Sequence, residues 1–136
     1  MYEKDYILRI IQQMGAFLRA MLDAAREHRP EDVRETSREA LTLLLGLPPE
    51  VTDSLTPDGL VTILSVGGGL ESTRAVLAAE VFVRRAQADE SLGLVAAAAA
   101  DRARARKLIE EVIAVGDEEA ARARELLVEL QGSQPC

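Results

Sequence analysis

The residues whose types and spacing come closest to a chemical site lie between positions 60 and 73. Leu60-Val61-Thr62-Ile63-Leu64-Ser65-Val66 runs into Gly67-Gly68-Gly69, and Ser72 and Thr73 follow. An apolar strand that enters a glycine turn and then a helix is how dinucleotide folds place a pyrophosphate on free helix amides. The G-x-G-x-x-G spacing fails, because position 72 is Ser72. The G-x-x-x-x-G-K-S/T loop fails too, for want of a lysine after the glycines. No second strand pattern supplies the neighbours a parallel sheet needs. The stretch reads as a turn between helices, with 60–66 open to either helix or strand. A small-molecule-binding or enzymatic helical protein using the corner at Gly67, Gly68 and Gly69 is the alternative.

Other reactive types are sparse. His28 is the sole histidine, placed beside Glu27 and just before Pro30. No motif supplies the nucleophile or proton donor that a histidine base requires, and a helix-terminal position explains it. Cys136 is the sole cysteine, so neither an intrachain disulfide nor a Cys/His zinc site is expected. Glu110-Glu111 and Glu118-Glu119 are neighbours in sequence, and adjacent helical residues point in different directions rather than facing one another. No catalytic, cofactor-binding or metal-binding residue is assigned, and no cofactor is expected.

Charge narrows the partners. The chain carries a net charge of -7, and an acidic surface repels a phosphate backbone unless its bases gather on one face. Arg84, Arg85, Arg102 and Arg106 would be the residues for nucleic acid, which is disfavoured. Arg102, Arg104, Arg106 and Lys107 read instead as a salt-linked surface, with Glu110 and Glu111 four residues beyond Arg106 and Lys107; Glu118 precedes Arg122 by four, the more favourable direction for the helix dipole.

These side chains need elements to hold them. Hydrophobic residues make up 48% of the 136, with two Phe, two Tyr and no Trp. That alanine- and leucine-rich balance favours closely packed helices over sheets. Residues 3–28 form the clearest helix. Ile7, Ile11, Met14, Leu18, Met21 and Ala25 recur at spacings of four and three, widened by Ile10, Phe17 and Leu22. Gly15 interrupts this helix and would admit a close neighbour. A second helix is expected over 30–45, stopped by Gly46 and Pro48-Pro49. Residues 46–59 read as a linker with a short turn near 50–54, and Thr56-Pro57 as a cap followed by a first-position proline. Further helices are expected from about 70 to a loop at 89–93, from 94 to 114, and from Asp117, as cap, to about 131. One long bent helix across 89–93 is the other possibility.

The whole reads as all-α: a small bundle or stacked antiparallel helical hairpins in a single domain, 1–131, with a flexible tail at 132–136. Asp5, Arg9, Arg19 and Asp23 break the N-terminal apolar pattern, and residues 92–100 are too short an apolar run to span a bilayer. No signal peptide or membrane span is expected, and the cytoplasm is the expected location.

The opening Asp5-Tyr6-Ile7, with Arg9 and Ile11, resembles an uncharacterised family of small bacterial helical proteins that begin with this acidic-aromatic motif before an amphipathic helix. Residues 76–115, through Leu77-Ala78-Ala79-Glu80 and Ala105-Arg106-Lys107-Leu108-Ile109, resemble a tetratricopeptide-type hairpin. That resemblance implies helix-turn-helix stacking, as in repeats that often bind peptides, and carries over no peptide-binding residue. The expected function is a noncatalytic protein-interaction or scaffold module. It is expected to self-associate as a homodimer through Ile7, Ile11, Met14 and Leu18 on the first helix.

Overall fold

The structure is a computed structural model that describes residues 2–132. Cys136 and the expected tail beyond Gly132 lie outside the described residues. Seven helices carry the fold: α1 (Tyr2–Arg26), α2 (Pro30–Leu45), α3 (Pro49–Ser54), α4 (Pro57–Ile63), α5 (Ser72–Ser91), α6 (Val95–Val115) and α7 (Ala120–Gly132). A two-stranded hairpin, β1 (Ser65–Val66) and β2 (Gly69–Leu70), sits between α4 and α5. Gly132, expected in the tail, closes α7.

Prolines and glycines set the boundaries. Pro30, Pro49 and Pro57 each stand in the first turn of a helix, where a missing N–H costs nothing and a fixed φ helps. Thr56 caps α4, its Oγ1 accepting from the Gly59 amide at 3.0 Å. This cap resolves the ambiguous stretch. Residues up to Ile63 are helical, and only Ser65 and Val66 are extended. They pair antiparallel with Leu70 and Gly69. Gly67 and Gly68 both take positive φ in the tight turn between them, which side chains with a Cβ adopt only with strain.

Burial follows helical phase. α5 is the central helix and is buried on more than one side: Ala75, Val76, Ala79, Val81, Phe82 and Val83 all leave water. A short turn at 92–94 folds α6 back along it, so α5 and α6 are two helices rather than one bent one, and α7 returns along α6. α2 packs on α5 and contributes Ala40, Leu41 and Leu44 to the common core. Arg74 of α5 fastens that contact by donating from Nε to the Leu44 carbonyl at 3.0 Å, which puts a cation at the negative end of α2. α1 packs chiefly on α2 and meets α5 only briefly. Its inward residues are Ile10, Met14, Met21 and Ala24. Among the described residues no helix is long and apolar enough to cross a membrane.

α1 ends in a double backbone closure. The Arg29 amide donates to the Ala24 carbonyl at 2.8 Å and the His28 amide to Ala25 at 3.1 Å. His28 occupies the left-handed position (φ 57) that glycine usually fills in this motif. A Cβ in that conformation costs energy that glycine avoids. His28→Gly is therefore expected to stabilise the fold by about 1 kcal/mol, read as a raised urea midpoint at unchanged m-value.

Candidate functional site

The densest chemistry in the molecule is a set of charges inside it. On α5, Arg85 and Asp89 fall in phase with Ala78 and Phe82; on α6, Asp101 and Arg104 fall in phase with Ala98, Ala105 and Leu108. Helical phase therefore carries these four ionisable side chains inward with the apolar ones, and all four are buried. Such charges are tolerated only when paired and hydrogen-bonded.

Asp101 is the hub. Arg85 grips it with two bonds, Nε to Oδ2 at 3.0 Å and Nη2 to Oδ1 at 2.8 Å. Arg104 adds Nη1 to Oδ1 at 2.9 Å. The remaining donors reach the end of α3 and Leu55 just after it, in the segment expected from sequence as a linker. Arg85 Nη1 bonds Asp53 Oδ1 at 3.1 Å. Arg104 bonds the Asp53 carbonyl at 2.7 Å and the Leu55 carbonyl at 3.0 Å. Both guanidinium groups lie over the Phe82 ring, at 5.4 and 5.8 Å from its centre, a cation–π arrangement strengthened by exclusion of water. Asp89 ties in α2 by accepting from Arg34 Nε at 2.7 Å.

Two carboxyl groups share this interior and titrate apart. Burial pushes Asp89 up to about 7; a hydrogen bond to Asp101 and its negative charge add to this, and Arg34 opposes it. Burial also penalises the Asp101 anion, but hydrogen bonds from Arg85 and Asp89 and the charges of Arg85 and Arg104 hold it below the usual carboxylate range. Asp89 Oδ2 is buried with no hydrogen-bond partner, which favours the neutral, protonated carboxyl over the anion. The cluster can hold a proton and bind four elements together.

Among the described residues, no group of three or more His, Cys, Asp and Glu side chains is placed to hold a metal ion. The glycine corner is the exposed turn of the β1–β2 hairpin, and it leads into α5 past Glu71, whose carboxylate pairs with Arg74 at 2.6 Å. An anion at that helix start meets a carboxylate already there. A cleft of about 310 Å³ lies where α1, α2 and α5 meet, lined by apolar Met21, Val33 and Ala88 and by polar His28, Arg84 and Gln87.

The expected interaction residues separate. Met14 is 0% exposed and is spent on the protein's own core, which corrects its assignment to the outer surface. Ile7 and Leu18 are half-buried, and Ile11 is open. The open side of α1 keeps Ile11 and takes Leu8 and Leu22, with half-buried Gly15 and Leu18 along its edge toward the core. The basic cluster also divides. Arg104 turns inward and Arg102 pairs with Glu90, while Lys107 reaches Glu111 at 3.1 Å. Arg122 pairs with Glu80 at 2.9 Å and with Glu125 at 3.0 Å, where Glu118 was expected. Arg85 is buried and Arg84 faces Glu129 at 3.3 Å, which removes both from a nucleic-acid surface. The expected loop at 89–93 begins late, because Asp89 and Glu90 belong to α5. Comparisons of the chain with family models, with curated proteins and with solved structures return no match.

Two outcomes follow from the cluster. Asp101→Asn removes the carboxylate that two buried guanidinium groups share, leaving Arg85 only Asp53 and Arg104 only backbone carbonyls, and is expected to cost about 3–5 kcal/mol in urea unfolding. The raised Asp89 acid gives the folded state a proton that the unfolded chain has already released between about pH 4 and 7. Its contribution is complete below the unfolded pKa and is lost as pH rises through about 7. Asp101 acts oppositely, and only below the ordinary carboxylate range. Thermal midpoints should therefore decline from pH 5 to pH 8, and Asp89→Asn, which mimics the protonated acid, should flatten that decline.

Proposed function

We propose that this chain is a noncatalytic protein-interaction module, a small scaffold that docks and self-associates through the outward face of α1. One observation carries the proposal. Leu8, Ile11 and Leu22 are 52%, 39% and 37% exposed on a single helix, at the spacing of one helical face. Among the described residues, the exposed large apolar residues outside α1 are scattered over α3, the turn between α5 and α6, both ends of α6, and α7. Isolated apolar residues are ordinary on a surface, whereas an aligned set is a docking feature. The rigid support suits that role: α1 rides on α2, which Arg34 and Arg74 bind to the central helix.

The proposal keeps the resemblance to small bacterial helical proteins, on Asp5-Tyr6-Ile7, Arg9 and Ile11, and a cytoplasmic setting, which a single cysteine suits. The α5–α6 hairpin is the unit from which a tetratricopeptide-like stack would be built, and it supports that part of the reading.

Sedimentation equilibrium over a wide concentration range tests it. The expected result is a mass that rises with concentration for the native chain and stays at one chain for Ile11→Glu/Leu22→Glu. Neither residue belongs to the buried core, so the variant should keep its helical circular dichroism. A native chain that remains monomeric throughout overturns self-association.

A further inference from the structure

Gly15 has no explanation within its own chain. It sits mid-helix, where glycine costs about 1 kcal/mol against alanine. A Cβ added there meets nothing within 4 Å, so no neighbouring element of this molecule requires its absence. Gly15 lies on the outward stripe, in the run Leu8, Ile11, Gly15, Leu18, Leu22 and Ala25, whose spacings alternate three and four. Core positions of a helix pair recur in that way. This stripe borders the Ile10, Met14, Met21 and Ala24 stripe that α1 buries against its own chain; Leu18 stands at the border, half-buried, with one side on that core and the other open.

We infer that α1 pairs antiparallel with α1 of a second copy of this chain, Gly15 of each receiving Leu18 of the other. This rests on the interaction reading above and names its partner and geometry. Residue sizes decide the direction. In a parallel pair each layer joins a residue to its own copy, so Gly15 faces Gly15 and Ala25 faces Ala25, which leaves voids that close packing penalises. In an antiparallel pair, each layer joins one position type to the other. Leu8 then meets Ala25, Ile11 meets Leu22, and Gly15 meets Leu18. Every layer contains a large side chain, and the two smallest residues each receive a leucine.

Charge agrees with size. On the flank beside the stripe, the antiparallel register sets Asp5 near Arg26 of the second copy and Gln12 near its Arg19. The parallel register sets this flank against Ile7, Met14, Met21 and His28, which offers Asp5 no such partner. α1 also escapes the negative balance of the whole chain. It carries three acids (Glu3, Asp5, Asp23) and four bases (Lys4, Arg9, Arg19, Arg26), so two copies of it do not repel.

Disulfide trapping tests the arrangement. In a Cys136→Ser background, Ile11→Cys and Leu22→Cys are made as separate proteins. A disulfide needs Cα atoms within about 7 Å. In the inferred pair, each cysteine lies roughly 16 Å along the axis from its own copy. The expected result is that neither protein cross-links alone, while an oxidised mixture yields the mixed dimer. Gly15→Leu supplies a second readout. It should raise the urea midpoint of the monomer, since the site is open and leucine favours helix. It should also weaken association about tenfold or more, by overfilling the layer that takes Leu18. Cross-linking of either single variant to itself, no mixed cross-link in a chain whose mass still rises with concentration, or association untouched by Gly15→Leu would overturn the antiparallel seam while leaving the interaction reading in place. A monomeric native chain would overturn both.

Discussion

Asp101 is removed from water between two guanidinium groups, and three stretches of chain must come together before that burial is tolerable. The carboxylate comes from α6, Arg85 from α5, and Arg104 from one turn along α6. The linker brings Asp53 and two carbonyls to the donors left over. An ion pair of this kind gives little net stability compared with an apolar replacement, but it strongly penalises any arrangement in which one member is missing. It therefore selects the native packing among the many ways in which alanine-rich helices could slide past one another. Alanine surfaces define a helix register poorly, and directional bonds define it well.

The molecule divides into an anchored interior and an attached arm. α5, α6 and the linker are tied by the buried charges and by the Phe82 ring beneath them. α1 has no part in that cluster. It is held through α2 by apolar contact, and one side of it remains free. The fold thus separates the residues that fix its own shape from those that offer contact to another molecule. The acidic character of the chain is likewise kept away from the offered face.

Much of this was legible in the residues, and the failures have definite causes. Pro30, Pro49, Pro57 and Gly46 marked the helix limits because their backbone preferences act locally. The all-α class followed from periodicity. Residues 60–66 could not be assigned, because a short apolar run suits a buried helix and a strand alike; the Thr56 cap settled most of it and the Gly67-Gly68 turn settled the remainder. The internal cluster was missed because a binary pattern sends charge to the surface. Its signal was there to see: Arg85, Asp89, Asp101 and Arg104 keep step with Phe82, Ala98 and Leu108. Met14 was placed outside because the α1 stripe is wide enough to serve two faces. Only the approach of α2 decides which half is consumed, and that approach is a tertiary fact absent from local sequence.

The bond from Arg74 to the Leu44 carbonyl has a consequence for how the chain acquires its structure. The last turn of α2 is met by a cation that belongs to α5, thirty positions later. Gly46 stops that helix locally, its amide closing on the Thr42 carbonyl at 2.9 Å, and Arg74 satisfies a carbonyl that this closure leaves open. A nascent α1–α2 hairpin would thus form its own helix end but lack the bond that ties that end to α5, so arrival of the second half completes an element already begun in the first.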